Sequence, residues 1–182
     1  MPSAHTLYTA PMLPGNDLGN ATSETLLPDG RTGFLKLQLP SNNSLANKSF
    51  RVRLFGRVST TANLNFQVRV YFGISGVIGS NTQIFDTNQI NINNAKSNWE
   101  LWLDMTWDSD SKTITGRGAG QLANNILGPG TLLNIPIAAD PNRDSNNFLQ
   151  SGATYGFTVT GQFSGSSTGN HAFVDNFALE AV

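Results

Sequence analysis

The stretch from residue 99 to residue 118 constrains the fold more than any other part of the sequence. Its first half places apolar residues at every second position, with polar residues between most of them: Trp99, Leu101, Leu103, Met105 and Trp107. This is the pattern of a strand with one buried and one exposed face. The Asp/Ser run at 108–111 is typical of a turn, because those side chains hydrogen-bond their own backbone. We predict a β-hairpin, 99–107 with 112–118, whose first strand carries two tryptophans into a core.

The same alternation recurs along the rest of the chain, and no stretch keeps a helical repeat for three turns. We predict that two of the strands, 50–59 and 64–72, form a hairpin around a turn at 60–62. In the last strand, Phe173, Phe177 and Leu179 share one phase. Eight to ten short strands separated by turn residues predict an all-β fold, a sandwich or a barrel. The remaining predicted strands are 34–39, 82–85, 89–92, 133–137, 155–163 and 171–182, with a short strand or helical turn at 121–126.

The N-terminal residues follow neither periodicity. Prolines and glycines interrupt any regular element before residue 32, among them Pro11 and Pro14. We therefore predict an extended arm over residues 1–32, held against its own domain or a neighbour, and a β-sandwich domain over residues 33–182. Pro11 and Pro14 are candidate partner-binding residues on this arm.

Composition and spacing offer no catalytic, metal-binding or cofactor-binding group. The 182 residues include no Cys, which excludes thiol catalysis, Cys-ligated zinc and iron–sulfur clusters. His5 and His171 have no local partners for a triad, and Asp108 and Asp110 lack the residues that continue a calcium loop. A net charge of −1 gives no electrostatic case for nucleic acid, and no apolar run approaches the ~18 residues of a membrane span. We expect a non-enzymatic protein without cofactors.

Arginines gather on the outward phases of the two strands predicted to pair. In that hairpin, Arg53 would lie nearly opposite Arg69, and like charges in such positions destabilise a sheet. We therefore expect a carboxylate nearby, either Glu100 or Asp104 or one on the acidic surface of a partner. The alternatives are an arginine–carboxylate network and a docking patch, with Arg51, Arg53 and Arg69 as candidate partner-binding residues. The arginines are Arg51, Arg53, Arg57 and Arg69.

Trp102 lies on the outward phase of the central strand, between Glu100 and Asp104. The two carboxylates are four residues apart on a strand, about 13 Å. Because paired glycosidase carboxylates lie ~5–9.5 Å apart, these two are not expected to form an acid–base pair. An exposed tryptophan between polar groups can stack a sugar ring. The alternative is that Trp102 packs under a loop, the arm or a neighbouring subunit, and it is a candidate partner-binding residue in both cases.

Three stretches carry a resemblance to known proteins: Phe50–Gly56, Ser97–Leu103 with a hairpin closing on Ile114–Gly116, and Asn170–Glu180. Over about residues 33–182, the chain resembles the β-sandwich virion proteins of tailed bacteriophages, especially head decoration, or cement, proteins. The resemblance implies a jelly-roll-like antiparallel sandwich without catalytic residues. It also implies a homotrimer that binds the major capsid protein and stabilises the lattice at the capsid surface of the virion. A carbohydrate-binding, lectin-like module and a tail or fibre component are the alternatives.

Overall fold

The chain folds into thirteen described strands. The computed structural model describes residues 5–11, 17–27, 34–36, 49–73, 77–78, 82–92, 96–108, 113–124, 132–134, 143–144 and 156–181. No helix in these ranges is long and apolar enough to cross a bilayer. The strands are β1 (His5–Pro11), β2 (Thr25–Leu26), β3 (Phe34–Lys36), β4 (Ser49–Ser59), β5 (Asn65–Gly73), β6 (Thr82–Asp86), β7 (Ile90–Asn91), β8 (Lys96–Asp108), β9 (Thr113–Asn124), β10 (Leu132–Asn134), β11 (Arg143–Asp144), β12 (Gly156–Phe163) and β13 (His171–Ala181).

Two antiparallel sheets pack face to face, which confirms the all-β, antiparallel, jelly-roll-like sandwich. A seven-stranded sheet has the order β1-β13-β4-β8-β9-β10, with β11 also on β9. A six-stranded sheet has the order β2-β12-β5-β6, with β3 also on β12 and β7 on β5. Phenylalanines fill the space between the sheets. The ring of Phe157, on β12, lies 5.0 Å from that of Phe72 and 5.7 Å from that of Phe177 on β13, between ring centroids.

The hairpin that dominates the sequence is present as β8 and β9. Trp99 lies opposite Leu122, and the ladder continues to Asp108 opposite Thr113. The side chains of Trp99, Leu101, Leu103 and Met105 are buried, as their alternation predicts. The side chain of Trp107 and the turn at 109–112, which includes Asp110, lie outside the described residues. The predicted strand or helical turn at 121–126 begins as the end of β9.

Most other predicted strands are also present, and for two of them the structure describes only part of the predicted range. Strands β6 and β7 match the predictions at 82–85 and 89–92, and β12 and β13 match those at 155–163 and 171–182. Strand β3 covers Phe34–Lys36 and β10 covers Leu132–Asn134. The remaining residues of the predictions at 34–39 and 133–137 lie outside the described part of the chain.

The predicted hairpin of residues 50–59 with 64–72 is wrong, although both segments are strands. Strand β4 pairs with β13 and β8, whereas β5 pairs with β12, β6 and β7 in the other sheet. The connection through Thr60 therefore crosses from one sheet to the other. Thr60 is buried there, and its hydroxyl donates to Asn170 Oδ1 at 2.8 Å. In this arrangement the apolar faces of the two strands are buried against each other. Because the strands belong to different sheets, Arg53 and Arg69 do not lie opposite one another.

The predicted phase of the last strand is also wrong in its first half. The pairing of β13 with β4 shifts between Val174 and Asn176, which marks a β-bulge at Asp175. Because a bulge inserts one residue, the faces before and after it exchange. Val174 and Phe177 are buried in the core, whereas Phe173 is half-buried on the opposite, outer face.

The N-terminal region contributes to both sheets. Strand β1 pairs with β13, and β2 pairs with β12. Between them, residues 17–27, here called the edge strap, run from one sheet to the other along one edge of the sandwich. The N–H of Leu18 donates to Ala172 O at 3.0 Å, and that of Leu27 donates to Val159 O at 2.8 Å. The side chains of Leu18 and Leu27 are buried in the core. A domain boundary at residue 32 stays a prediction.

The first turn of the edge strap is attached by Asp17. Its Oδ1 accepts hydrogen bonds from the backbone N–H of Gly19 at 3.0 Å and of Ala172 at 3.1 Å, and Oδ2 contacts His171 Nδ1. Burial alone would raise the pKa of Asp17, but these hydrogen bonds outweigh it and hold the pKa below 3.8. A carboxylate with a lowered pKa stabilises the fold above its unfolded pKa, and this contribution is lost as the pH falls through the folded value.

Asp17→Asn is therefore expected to reduce the acid sensitivity of the fold. Above about pH 5 the variant should be less stable than the wild type, because it lacks the charged carboxylate. The loss should not exceed about 1 kcal/mol, since Asp17 is partly exposed and solvent screens its interactions. From about pH 5 to pH 2, the difference should shrink, since the wild type loses a contribution that the variant lacks. Urea midpoints measured across this range check the expectation. A difference that does not change with pH would contradict it.

Candidate binding face

The outer faces of the two sheets differ in exposure. On the six-stranded sheet, outward side chains are covered: Tyr71 is 8% exposed and Thr160 0%. On the seven-stranded sheet, outward residues of β4 are open to solvent, and Phe55 is 42% exposed. Single exposed apolar residues are common on protein surfaces. An exposed phenylalanine in the centre of a sheet, among arginines, makes this face the candidate site.

The register of β4 and β8 brings the outward side chains together. Arg53 lies opposite Trp102, Arg51 opposite Asp104, and Phe55 opposite Glu100. Because alternate residues of a strand share a face, these six side chains form one continuous surface, here called the binding face. Three candidates from the sequence, Arg51, Arg53 and Trp102, therefore lie side by side.

The two candidate prolines are placed only in part. The backbone of Pro11 pairs with Asn176, which in turn lies opposite Phe55, so Pro11 is at the edge of the sheet that carries the binding face. Nothing of the Pro11 side chain is described, and Pro14 lies outside the described residues. Their role in binding a partner stays a prediction.

The arginines of this face have carboxylate partners within the chain. Arg51 donates to Asp104 through Nε at 2.5 Å and through Nη2 at 3.1 Å, a bidentate pair. Hydrogen bonding to Asp104 raises the pKa of Arg51. Arg53 Nε lies 4.0 Å from Glu180 Oε2, a looser contact. Asp104, one of the two carboxylates expected beside Arg53 and Arg69, pairs with Arg51 instead, while Arg53 contacts Glu180 and Arg69 contacts Glu24 and Asp86.

One further aromatic residue, Phe173, lies on the outer face of the same sheet, outside the binding face. The guanidinium carbon of Arg57 lies 4.9 Å from the centroid of the Phe173 ring, a cation–π contact. The same guanidinium donates to both oxygens of Asp175, each at 2.8 Å, which raises its pKa. Phe55 was recognisable from the sequence as an aromatic residue on an outward phase. Phe173 was not, because the bulge that turns it outward leaves no signal in the alternation.

The carboxylates on either side of Trp102 differ in their partners. Asp104 is held by Arg51, while the Glu100 carboxylate has neither an ion pair nor a hydrogen bond with any described residue. Within the described ranges, no group of three or more His, Asp or Glu side chains could hold a metal ion. What this surface offers is aromatic area and fixed hydrogen-bonding groups.

Arg69, the remaining candidate, lies on the other sheet. Its Nε donates to Asp86 Oδ2 at 3.1 Å, and its Nη1 lies 3.3 Å from Glu24 Oε2. Glu24 Oε1 also accepts hydrogen bonds from the hydroxyls of Tyr71 at 2.5 Å and Thr160 at 2.6 Å. Burial and the bond to Glu24 raise the pKa of Tyr71. This network attaches the edge strap to the six-stranded sheet. Arg69 therefore belongs to the other sheet and is not part of the binding face.

Comparisons with known proteins identify no family. No protein-family model matches the chain, and no curated protein sequence matches it. Among solved structures, it is similar to a legume lectin-like domain from Entamoeba histolytica, with 10% identity and a TM-score of 0.37 over 81% of this chain and 75% of that chain. It is similar to a carbohydrate esterase from the Shiga toxin-encoding bacteriophage phi24B, with 15% identity and a TM-score of 0.37 over 98% and 99% of the two chains.

A third similar structure is the CBM2 module of the evolved Dit protein of Lactobacillus casei BL23 phage J-1. It has 12% identity and a TM-score of 0.28, over 78% of this chain and 66% of that chain. None of these three is a capsid decoration protein. Because their TM-scores are low, they support no inference about a ligand or a partner.

Proposed function

We propose that the chain is a non-enzymatic structural protein of a virion, a head decoration protein that docks on the major capsid protein through its binding face. The resemblance of residues 33–182 to such proteins supports this proposal. The observation that carries it is the surface formed by Arg51, Arg53, Phe55 and Trp102 on one exposed sheet face. Arginine and aromatic residues are enriched where proteins bind proteins, and they supply most of the binding energy.

The ion pairs of the binding face favour a protein partner. Burying an unpaired charge in an interface is costly, because the charge loses its hydration. Arg51 reaches the interface already paired with Asp104, so docking does not leave the Arg51 charge isolated. Phe55, which is exposed in the free chain, supplies apolar area. Burying a phenylalanine side chain contributes about 1.5–3 kcal/mol.

Phe55→Ser is expected to weaken binding to capsids about tenfold or more, because it removes this apolar contribution. The measurement is co-sedimentation of the purified chain with capsids assembled from the major capsid protein encoded in the same genome. The matched control is Ile78→Ser, since Ile78 is 37% exposed and lies outside the binding face. The proposal is ruled out if the wild type does not co-sediment with capsids. It is also ruled out if the wild type, Phe55→Ser and Ile78→Ser bind capsids with equal affinity. Sedimentation velocity tests separately the homotrimer that the resemblance implies.

A second function, binding of a neutral sugar, is favoured by Trp102 and Glu100. The tryptophan is partly exposed, and the carboxylate beside it has no partner among the described residues, so a stacked sugar could donate hydroxyl hydrogen bonds to it. A glycan array with the wild type and Trp102→Ala separates the two functions. Sugar binding that is lost in Trp102→Ala, by a chain that does not bind capsids, would favour the carbohydrate-binding module.

A further inference from the structure

A small pocket opens at the end of the seven-stranded sheet, beyond the binding face. It lies between β4, β8 and β13 and has a volume of about 160 Å³. Unlike the binding face, its lining includes two cationic side chains and no carboxylate, although one of the two, Arg57, is paired with Asp175 beside the pocket. The residues that line this pocket, here called the end pocket, are Arg57, Val58, Ser59, Lys96, Ser97, Asn98 and Phe173.

Hydrogen-bond donors dominate the end pocket. Arg57 uses Nε and Nη2 for Asp175, which leaves the two N–H groups of Nη1 without a partner among the described residues. Lys96 has no carboxylate partner in that part of the chain, and the Asn98 side chain has no hydrogen bond there. Lysine, arginine and asparagine together present far more donors than acceptors. Such a pocket selects an acceptor-rich, negatively charged group.

The geometry points to a carboxylate-bearing sugar as the ligand, and we propose that the end pocket binds an acidic monosaccharide unit such as a hexuronic acid. A carboxylate forms charge-assisted hydrogen bonds with lysine and arginine, about twice as strong as neutral ones. Ser59 and Asn98 supply groups that both donate and accept, as sugar hydroxyls require. Phe173, which is half-buried, supplies an apolar wall for the C–H groups of the ring.

The size of the pocket favours a sugar over an acidic side chain of a protein partner. A volume of about 160 Å³ is roughly ten times the ~10–15 Å³ that a single water molecule requires in a cavity. That is wide enough for a six-membered ring, whereas an Asp or Glu side chain would leave much of it unfilled. The inference goes beyond the docking function, because Lys96 is not part of the binding face.

The test is a titration of the ¹⁵N-labelled full chain with sodium glucuronate, followed by backbone amide shifts. We expect shifts that saturate at residues 57–59, 96–98 and 173, and no change in the signal of the Trp102 indole. Lys96→Ala is expected to weaken binding about tenfold, because a charge-assisted hydrogen bond is lost. Arg53→Ala, a cationic residue on the same sheet outside the end pocket, is the matched control and should bind as the wild type does.

Three comparison ligands decide the chemistry. Glucose tests the need for the carboxylate, free glutamate represents an acidic protein side chain, and inorganic phosphate represents an anion without a ring. Saturation by glucuronate alone supports the proposal. Equal binding of glucose, stronger binding of glutamate or phosphate, or unchanged affinity in Lys96→Ala overturns it. Since the titration contains no capsid, a negative result here is distinct from a negative result in the co-sedimentation assay.

Discussion

Replacing Gly56 with alanine is expected to lower the free energy of unfolding by about 3 kcal/mol, or the melting temperature by roughly 6–12 °C. Gly56 lies in the middle of β4, directly opposite Trp99 on β8 and Val174 on β13. The indole of Trp99 lies across the glycine, where any other residue would place its Cβ. A Cβ added at Gly56 would lie closer than 3.0 Å to two atoms of that indole and to the carbonyl oxygen of Phe173.

The carbonyl contact makes this substitution costly. A flexible side chain can move away from a new methyl group, but the backbone oxygen of Phe173 is fixed by the pairing of β13 with β4. Replacing glycine by alanine also restricts the unfolded chain, which returns only about 0.4–1 kcal/mol. Overpacking is therefore expected to dominate the change in stability.

Gly165→Ala is the matched control for Gly56→Ala. Its new Cβ would meet only Leu64 Cδ2, at 3.0 Å, the end of a side chain that can rotate. We expect its free energy of unfolding to stay within about 1 kcal/mol of that of the wild type. Urea denaturation of both variants gives the comparison. Similar losses in the two variants would show that Gly56 is not held by close packing against Trp99 and β13.

Alternation in the sequence specifies which face of a strand is buried, but not which strand lies beside it. Strands β8 and β9 are separated by only four residues, and their pairing could be predicted from that spacing. Strands β4 and β5 are separated by only one residue more, yet their connection crosses between the sheets. Both arrangements bury Val52 and Val70, so the hydrophobic pattern is the same in each case. Pairing with β12 and β13, which are far along the chain, decides between them.

The same limit applies to the candidate site. Arg51, Arg53 and Trp102 were identified from their outward phase, and the structure places them on one exposed face. Arg69 has an outward phase too, but Glu24 and Asp86 enclose it on the other sheet. The edge strap that carries Glu24 has no periodicity, so no sequence pattern indicates that it covers a sheet. Outward phase therefore predicts the face of a residue without predicting its exposure.

Glu24→Ala is expected to lower the free energy of unfolding by about 3 kcal/mol and to loosen the edge strap before the rest of the fold. The substitution removes the acceptor shared by the hydroxyls of Tyr71 and Thr160, and Thr160 is fully buried. Each buried donor left without a partner costs about 1–3 kcal/mol. Arg69 keeps Asp86, so the loss of its second carboxylate adds little.

Hydrogen exchange distinguishes loosening of the edge strap from a uniform loss of stability. The amides of Leu18 and Leu27 donate to Ala172 and Val159, and they should exchange faster in Glu24→Ala than amides of β4 and β8 do. Glu24→Gln keeps an acceptor oxygen and should lose less stability than Glu24→Ala. Glu100→Ala removes the same side chain from a site without a partner among the described residues, so its stability should change by less than about 0.5 kcal/mol. If Glu24→Ala and Glu100→Ala lose equal stability, the carboxylate of Glu24 does not hold the strap. If they differ and the strap amides exchange first, that carboxylate closes this edge of the sandwich.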